Sequence, residues 1–432
     1  MNYPNIVYIH SHDSGRYIQP YGAPMRSPRL QSFAEDAVVF RQAFAASPAC
    51  SPSRASLLTG QWSHSAGMLG LANRGFTLPG YDKHLITFLH SHGYRSALAG
   101  LQHISPDTAA IGYTEILERR DWSHDQQHGS DLIAASAVEY LERSASEPFF
   151  LDVGFFDTHR PYGVPEDDID PRWMAPPAPL PDVPATREDA AGYQSSLRRF
   201  DTAVGRVLDA VQTQGLADNT IVIITTDHGL ASPGMKVTLR DSGIGVMLLV
   251  RGPGNWRGGK VLDSLVTQID LFPTLCELIG VQPPEHLQGT SLVPLVDSQV
   301  AQVHEEIFAE VNYHVGYEPQ RCVRTLRWKY IRRYLDRDSE AFAHVDRSPS
   351  RDFVRAQGWF GRPYVKEMLF DTVLDPLEQH NLVDSSEHDA LLGEMRRRLQ
   401  LWQEQTEDPL LEGPVALPPG AHVDDIETWS SR

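Results

Sequence analysis

The chain has 432 residues, of which 41% are hydrophobic and 22% charged, and it carries a net charge of −18. This length exceeds one ordinary hydrophobic core and predicts two domains. The acidic balance disfavours nucleic-acid binding, which requires a basic face, so an anionic substrate must be captured by a local cluster of positive groups and metal. No run of about 18 apolar residues occurs, so no membrane span is predicted.

The N-terminus and the cysteines indicate the compartment. The chain runs from Met1 into the strand-like segment 6–9 without the basic and apolar regions of a signal peptide. Its cysteines, Cys50, Cys276 and Cys322, are too few and too scattered for a disulfide framework, which is typical of a reducing compartment. We therefore expect a cytoplasmic protein, or a periplasmic or secreted one if a leader has been removed.

Segments rich in valine and isoleucine alternate with helical patterns, which predicts an α/β protein with a large, mostly parallel sheet. The predicted strands span residues 5–9, 94–99, 149–155, 220–225 and 245–250, and the predicted helices span residues 28–37, 53–58, 85–92, 193–214 and 268–278. Strand 220–225 is nearly all β-branched, which indicates burial on both faces. The proline- and aspartate-rich stretch 161–184 shows no period and is interpreted as an irregular loop near the site.

A shift in composition near residues 297–303 divides the chain into a predicted catalytic domain, residues 1–300, and a smaller domain, residues 301–432. Short strands and one long helix are predicted in the second part, over residues 306–311, 321–325, 328–334 and 386–406. We expect this part to be a small α+β domain with an antiparallel sheet.

Polar side chains follow two of the predicted strands, at the edge where open α/β sheets bind ligands. His12 and Asp13 come after the first strand, and Asp227 and His228 come after strand 220–225. Each pair alone serves equally well in a turn or a cap. Together the two loops predict a metal site with four ligands.

Three further polar residues have two readings each. His103 and His159 also follow predicted strands, where a histidine is either a structural hydrogen bonder or an acid–base group. Lys236 lies in a loop just beyond the metal candidates and is either a surface lysine or a contact for an anion.

The segment Cys50-Ser51-Pro52-Ser53-Arg54 opens a run that continues to Leu-x-Thr-Gly at residues 57–60. The run resembles the signature of the sulfatase family. In that family an oxidising enzyme converts the cysteine to formylglycine, whose hydrated aldehyde is the nucleophile. For the motif alone, the alternative is a buried cysteine before an ordinary helix.

The rest of the chain also resembles that family, in the order His12-Asp13, the cysteine motif, Gly93-Tyr94 to His103, His159, Asp227-His228-Gly229 and Lys236. The resemblance reaches residues 269–275 and 369–382 and so covers nearly the whole chain. It is strongest to the N-sulfoglucosamine sulfohydrolases (heparan N-sulfatases), in residues 50–71, 159–160 and 402–409. It implies an alkaline-phosphatase-like fold, with a large mixed sheet flanked by helices.

The resemblance also implies a role for each candidate. Cys50 would become the nucleophile and Arg54 would steady it and the metal. His103 would be the base for breakdown of the intermediate, while His159 and Lys236 would hold sulfate oxygens or protonate the leaving group. The implied partners are a sulfated saccharide or other anionic ester and, during maturation, a formylglycine-generating enzyme. A homo-oligomer is compatible with the sequence.

The implied metal is one divalent cation, calcium in most of the family, held by His12, Asp13, Asp227 and His228. His12 and His228 stand where the family has an aspartate and an asparagine. Two imidazoles make the site softer than the oxygen-rich sites that calcium prefers, which makes manganese, zinc or iron alternatives to the calcium that the resemblance implies. Alternatively, His12 orients a ligand without binding the metal.

Leu101 is a second departure, because the family has a lysine at this position, and one positive contact to the substrate is missing. The Asp-His-Gly sequence is also similar to phosphonate monoester hydrolases and choline sulfatases. Three hypotheses remain. The first is a hydrolase of sulfate esters or sulfamates on a saccharide; the second is a phosphonate monoester or phosphate diester hydrolase with the same nucleophile. The third is a catalytically decayed binding protein.

Overall fold

The computed structural model describes residues 3–117, 129–144, 147–340 and 344–426. Its strands are β1 (Asn5–Ser11), β2 (Val38–Phe44), β3 (Arg95–Gly100), β4 (Glu115–Ile116), β5 (Phe149–Gly154), β6 (Thr220–Thr226), β7 (Leu248–Arg251), β8 (Lys260–Thr267), β9 (Glu306–Tyr313), β10 (Tyr317–Thr325), β11 (Trp328–Arg333) and β12 (Glu367–Asp371). Its α-helices are α1 (Pro28–Ala34), α2 (Cys50–Thr59), α3 (Ser63–Ala66), α4 (Leu85–Ser91), α5 (Gly129–Arg143), α6 (Pro184–Thr213), α7 (Asp241–Ile244), α8 (Leu271–Leu278), α9 (Val293–Val296), α10 (Pro349–Ala356) and α11 (Asp389–Gln405).

The larger sheet has eight strands in the order β4-β3-β5-β1-β6-β7-β2-β8. All neighbours in it are parallel except β7, which is antiparallel to both β6 and β2. β1 lies between β5 and β6, with His10 opposite Gly154 on one side and Thr225 on the other. The expected large, mostly parallel sheet is therefore confirmed.

Helices cover both faces of this sheet, and the alternation of side chains along β1 shows how. Ile6 and Tyr8 belong to a core shared with α2, α4 and α8. Val7 and Ile9 belong to the core on the other face, shared with α1, α5 and α6. A strand that is apolar on both faces is typical of a parallel sheet between two helical layers.

The smaller sheet is antiparallel, in the order β12-β11-β10-β9. Helix α11 packs on it through Leu392, Met395, Leu399 and Trp402, and the Trp402 ring stacks on Phe308 with centroids 5.0 Å apart. The antiparallel sheet and long helix expected near the C-terminus are thus confirmed. The boundary at residue 300 stays a prediction.

The fold brings four loops to one place. β3, β5, β1 and β6 are consecutive in the sheet and mutually parallel, so their carboxyl ends lie at one edge. The candidate residues of the sequence follow these four strands, and Cys50 begins α2. In the described ranges no helix is both long and apolar enough to cross a bilayer.

Candidate active site

Cys50 is the first residue of α2, and the helix is buried along its whole length. Its Sγ lies 3.2 Å from Nε2 of His228. Ser53, one turn along, donates a hydrogen bond to the carbonyl oxygen of Asp227 at 2.6 Å, which ties the helix to the loop after β6. Burial raises the pKa of the Cys50 thiol well above its usual value, so the unmodified side chain is a poor nucleophile.

The loops after β1 and β6 place acceptor atoms face to face. The backbone N–H of Asp13 donates to Asp227 Oδ1 at 2.8 Å, which fixes the two loops to each other. His228 Nδ1 is hydrogen-bonded to the carbonyl oxygen of Gly229, so in the neutral ring Nδ1 carries the hydrogen and Nε2 is an acceptor. That Nε2 lies 3.2 Å from Asp13 Oδ1 and 3.8 Å from Asp227 Oδ2.

These residues fit a metal ion. Ligand atoms of His12, Asp13, Cys50 and Asp227 all lie within 4.8 Å of one another. Asp13 Oδ1 and both ring nitrogens of His12 are buried without a hydrogen-bond partner among the described residues. Buried carboxylate oxygens that crowd together beside an unprotonated ring nitrogen are unfavourable unless a cation lies between them. Three of the four predicted ligands, His12, Asp13 and Asp227, thus converge, and the fourth, His228, lies 3.2 Å from Asp13 Oδ1.

Arg54 lies below this cluster and orients Asp227. Its Nη2 donates to Asp227 Oδ2 at 2.9 Å and to the carbonyl oxygen of Ser11 at 2.7 Å. Burial opposes ionisation of Asp227, but the neighbouring His228, Arg54 and His12 outweigh it and hold the pKa of Asp227 well below the usual range. Asp227 is therefore a carboxylate and can bind a cation.

Lys236 is buried in the site and is not a surface lysine. Its Nζ lies 3.0 Å from Asp13 Oδ2 and 3.3 Å from Asp346 Oδ2. Burial opposes the charge, but Asp13 and Asp346 outweigh it and raise the pKa of Lys236 well above its usual value. Asp346 was missed in the sequence, because it lies far along the chain and outside every motif.

His103 and His159 flank His12. The ring centroid of His12 is 5.3 Å from that of His103 and 5.6 Å from that of His159. Burial and, secondarily, Arg54 lower the pKa of His103 to about 3, and burial lowers that of His159. Both rings are therefore neutral near pH 7, and each keeps one nitrogen that can accept a hydrogen bond.

Two residues at the site adopt the left-handed backbone conformation, Asp13 with φ 48° and His103 with φ 58°. Such conformations are costly for residues with a Cβ and cluster at functional sites.

The orientation of the His159 ring is fixed by its loop. Nδ1 donates to the carbonyl oxygen of Arg160 at 2.6 Å, which leaves Nε2 as the acceptor, 3.8 Å from Asp13 Oδ2. Arg160 in turn forms a two-armed ion pair with the buried Asp189.

Comparison with known proteins decides the family. Residues 4–281 match the family model described as sulfatase, and residues 235–352 match the one described as N-sulphoglucosamine sulphohydrolase, C-terminal. The chain belongs to the sulfatase family. Human N-sulphoglucosamine sulphohydrolase is 28% identical to it, over 93% of this chain and 89% of the human protein. Like its relatives, the chain is a sulfatase-type hydrolase.

Solved structures show the same fold. A protein in complex with its substrate D-glucosamine-2-N,6-O-disulfate has a TM-score of 0.73 at 18% identity, covering 94% of this chain and 98% of its own. The phosphonate monoester hydrolase of Agrobacterium radiobacter has a TM-score of 0.72 at 19% identity, covering 96% and 100%. Both are similar to this sulfatase across its length.

The site of this sulfatase thus combines a helix-terminal cysteine, a cluster of side chains that could hold a cation, a buried lysine and two neutral histidines. Leu101, where the family lysine is missing, donates its backbone N–H to the carbonyl oxygen of Gly154 and supplies no charge. Asp346 is the residue of this cluster that no sequence motif marks.

Proposed function

We propose that the protein hydrolyses sulfate esters or sulfamates on a saccharide, with a formylglycine formed from Cys50 as the nucleophile. The observation that carries this proposal is the position of Cys50, 3.2 Å from His228 Nε2 and within 4.8 Å of the ligand atoms of His12, Asp13 and Asp227. The likeness to a human sulfamate hydrolase and to a structure holding a sulfated glucosamine supports a sulfated sugar as substrate.

The cation would be held by His12, Asp13, Asp227 and His228. Two carboxylates and two imidazoles favour manganese or zinc over calcium, because calcium prefers six to eight oxygen ligands. A divalent cation bound here would lower the pKa of a hydroxyl of the formylglycine hydrate and so supply the nucleophile near neutral pH. The formylglycine-generating enzyme that acts on Cys50 would be a partner during maturation.

Each remaining step of the reaction would then be carried out by a residue of the chain. One hydroxyl oxygen of the hydrate at position 50 bonds to sulfur as the bond from sulfur to the leaving group breaks. His159 takes up the proton of that attacking hydroxyl at Nε2 and passes it to the leaving oxygen or nitrogen, while Lys236 offsets the charge on the sulfate oxygens. His103, neutral and close by, removes the proton of the second hydroxyl; the carbon–oxygen bond to sulfate then breaks and the aldehyde reforms.

One observation favours a second candidate, hydrolysis of phosphonate monoesters or phosphate diesters with the same nucleophile. Leu101 leaves the site with one positive charge fewer than the family pattern. A phosphonate monoester or phosphate diester carries the same single charge as a sulfate ester but on two non-bridging oxygens in place of three, so it presents one oxygen fewer for such a lysine to contact. The fold shared with a phosphonate monoester hydrolase is compatible with this candidate.

The test is a substrate panel on protein produced together with a formylglycine-generating enzyme and supplied with manganese, zinc or calcium. N-sulfated glucosamine, 6-O-sulfated glucosamine and a phenyl phosphonate ester are compared, with Cys50→Ala as the control. We expect turnover of one of the sulfated sugars that Cys50→Ala abolishes. Fast phosphonate turnover beside negligible sulfate turnover would establish the second candidate, and binding without turnover of any ester would establish a decayed site.

A further inference from the structure

A row of buried polar groups runs beneath the site, between β1, β5 and Arg54. Tyr113 donates its hydroxyl to Asp152 Oδ2 at 2.6 Å. Asp152 Oδ1 lies 2.9 Å from His10 Nε2, and His10 Nδ1 lies 2.5 Å from Nη1 of Arg54. His10 and Asp152 are each 1% exposed, so water does not compete for these bonds.

The hydrogen bonds along this row can run in only one direction. A guanidinium has donors and no acceptor, so His10 Nδ1 must accept from Arg54 and carry no hydrogen. The hydrogen of the neutral ring is then on Nε2, where it is donated to Asp152. The carboxylate of Asp152 thus accepts from His10 on one oxygen and from Tyr113 on the other. Each member fixes the orientation of the next.

The backbone makes room for the imidazole. His10 on β1 is opposite Gly154 on β5. A Cβ at residue 154 would come within 2.5 Å of His10 Cε1 and within 1.9 Å of the Leu101 carbonyl oxygen. Only glycine fits at residue 154, and the His10 ring occupies the space that a side chain would otherwise fill.

The surroundings argue against a purely structural role. Tyr8 and Phe150, next to these residues on the same face, are buried together with Ile6 in one largely apolar core. Polar groups in such a core cost free energy that apolar side chains of similar size would not. The row ends on Arg54, whose other arm holds Asp227 at 2.9 Å.

We propose that His10, Asp152 and Tyr113 are positioning residues, which fix the guanidinium of Arg54 so that it orients Asp227 for the cation and for turnover. The kinetic part of this inference rests on the proposed function. Groups that hold a metal ligand from behind affect metal affinity or activity by roughly 10- to 100-fold when removed. We expect changes of this size without direct contact between the row and the substrate.

The first test separates positioning from stability. His10→Leu removes one hydrogen-bond partner from Arg54 and one from Asp152, and should lower both the melting temperature and kcat, with KM nearly unchanged. The triple variant His10→Leu, Asp152→Leu, Tyr113→Phe replaces the whole row by apolar groups and should recover most of the melting temperature. Its kcat should stay about 10- to 100-fold low. Recovery of kcat together with the melting temperature would overturn the proposal.

His304→Leu is the matched control. His304 also pairs with a buried carboxylate, Asp270, at 2.9 Å, but it has no contact with Arg54 among the described residues. Its replacement should lower the melting temperature and leave kcat unchanged. An equal loss of kcat in this control would mean that any lost histidine–aspartate pair slows turnover, and would overturn the proposal.

The second test does not depend on activity. Nitrogen-15 NMR of histidine-labelled protein, assigned with His10→Leu, should show His10 as the Nε2-protonated neutral tautomer. An Nδ1-protonated or doubly protonated ring would contradict the hydrogen bonds assigned to this row and overturn the proposal, even if the enzyme turns over substrate. A correct tautomer in a protein inactive on every ester would instead count against the proposed function alone.

Discussion

Nζ of Lys236 lies 3.0 Å from Oδ2 of Asp13, while the other oxygen of that carboxylate, Oδ1, has no hydrogen-bond partner among the described residues. One carboxylate therefore joins the residue that would hold the sulfate to the cluster that would hold the cation. Substrate capture and metal binding should accordingly respond to the same substitutions at this point.

Lys236→Met should lower kcat/KM for a sulfated sugar by about 100- to 1000-fold, because one preorganised positive donor to the transition state is lost. Lys236→Arg keeps the positive charge and should lower kcat/KM less than Lys236→Met does. The matched control is Lys329→Met, since Lys329 is also buried between two carboxylates, Asp241 and Glu378, away from the site. It should lower the melting temperature and spare kcat/KM. Equal losses of kcat/KM in the two methionine variants would contradict the assignment of Lys236.

His103→Asn should reduce kcat by roughly 100- to 10,000-fold, the usual contribution of a general base. Its melting temperature should stay near that of the wild type, because asparagine tolerates the left-handed backbone that His103 adopts. His103→Val, which combines the same loss with a β-branched side chain, should be less stable. A His103→Asn enzyme with nearly normal kcat would exclude His103 as the base.

Asp227→Asn should weaken metal binding by more than the roughly 10- to 100-fold that loss of an outer partner costs. The substitution keeps the shape of the side chain and removes the charge that faces the cluster. Metal content after dialysis against a weak chelator measures this directly. Asp270→Asn, at a buried carboxylate elsewhere, should keep its metal. Unchanged metal retention in Asp227→Asn would place the cation elsewhere.

The sequence predicted the residues in the loops of the site better than the polar residues inside the strands that support those loops. His12, Asp13, Asp227 and His228 could be found because parallel neighbouring strands end at one edge, so residues far apart in sequence meet there. Strands β2 and β8 were missed, since their apolar residues show no distinct period. Helix α5 was also missed, although its buried residues Ile133, Ala137 and Tyr140 repeat at helical spacing. Helix α6 begins at Pro184, within what was interpreted as a loop. His10 and Asp152 depend on register between β1 and β5, which no local pattern encodes.

The buried pair His64–Glu310 should make stability depend on pH. His64 Nδ1 lies 2.8 Å from Glu310 Oε1, and although burial opposes protonation, Glu310 outweighs it and raises the pKa of His64 above 6.5. Because the pKa of His64 is higher in the folded than in the unfolded state, protonated His64 stabilises the folded protein fully at pH values below its unfolded-state pKa. This stabilisation is lost as the pH rises through the folded-state pKa. The urea midpoint should therefore fall as pH rises above about 6.5. His64→Asn keeps a donor for Glu310 but cannot titrate, so it should flatten this slope.

Glu310 has the opposite sign. Burial opposes its ionisation, but His64 and Arg321 outweigh it and lower the pKa of Glu310. Ionised Glu310 stabilises the folded protein fully at pH values above its ordinary pKa of 4.5. This stabilisation is lost as the pH falls through the lowered pKa of the folded state. A wild-type urea midpoint that rises steadily from neutral to alkaline pH would contradict the assignment of this pair.

The central claim is that Cys50 is converted to the nucleophile of a sulfatase. Peptide mass spectrometry of residues 50–54, after production with a formylglycine-generating enzyme, tests it most directly. The account predicts an aldehyde at position 50 that reacts with a hydrazide probe, and none in Cys50→Ala. A Cys50 that remains a thiol in the presence of the active maturation enzyme would contradict the account.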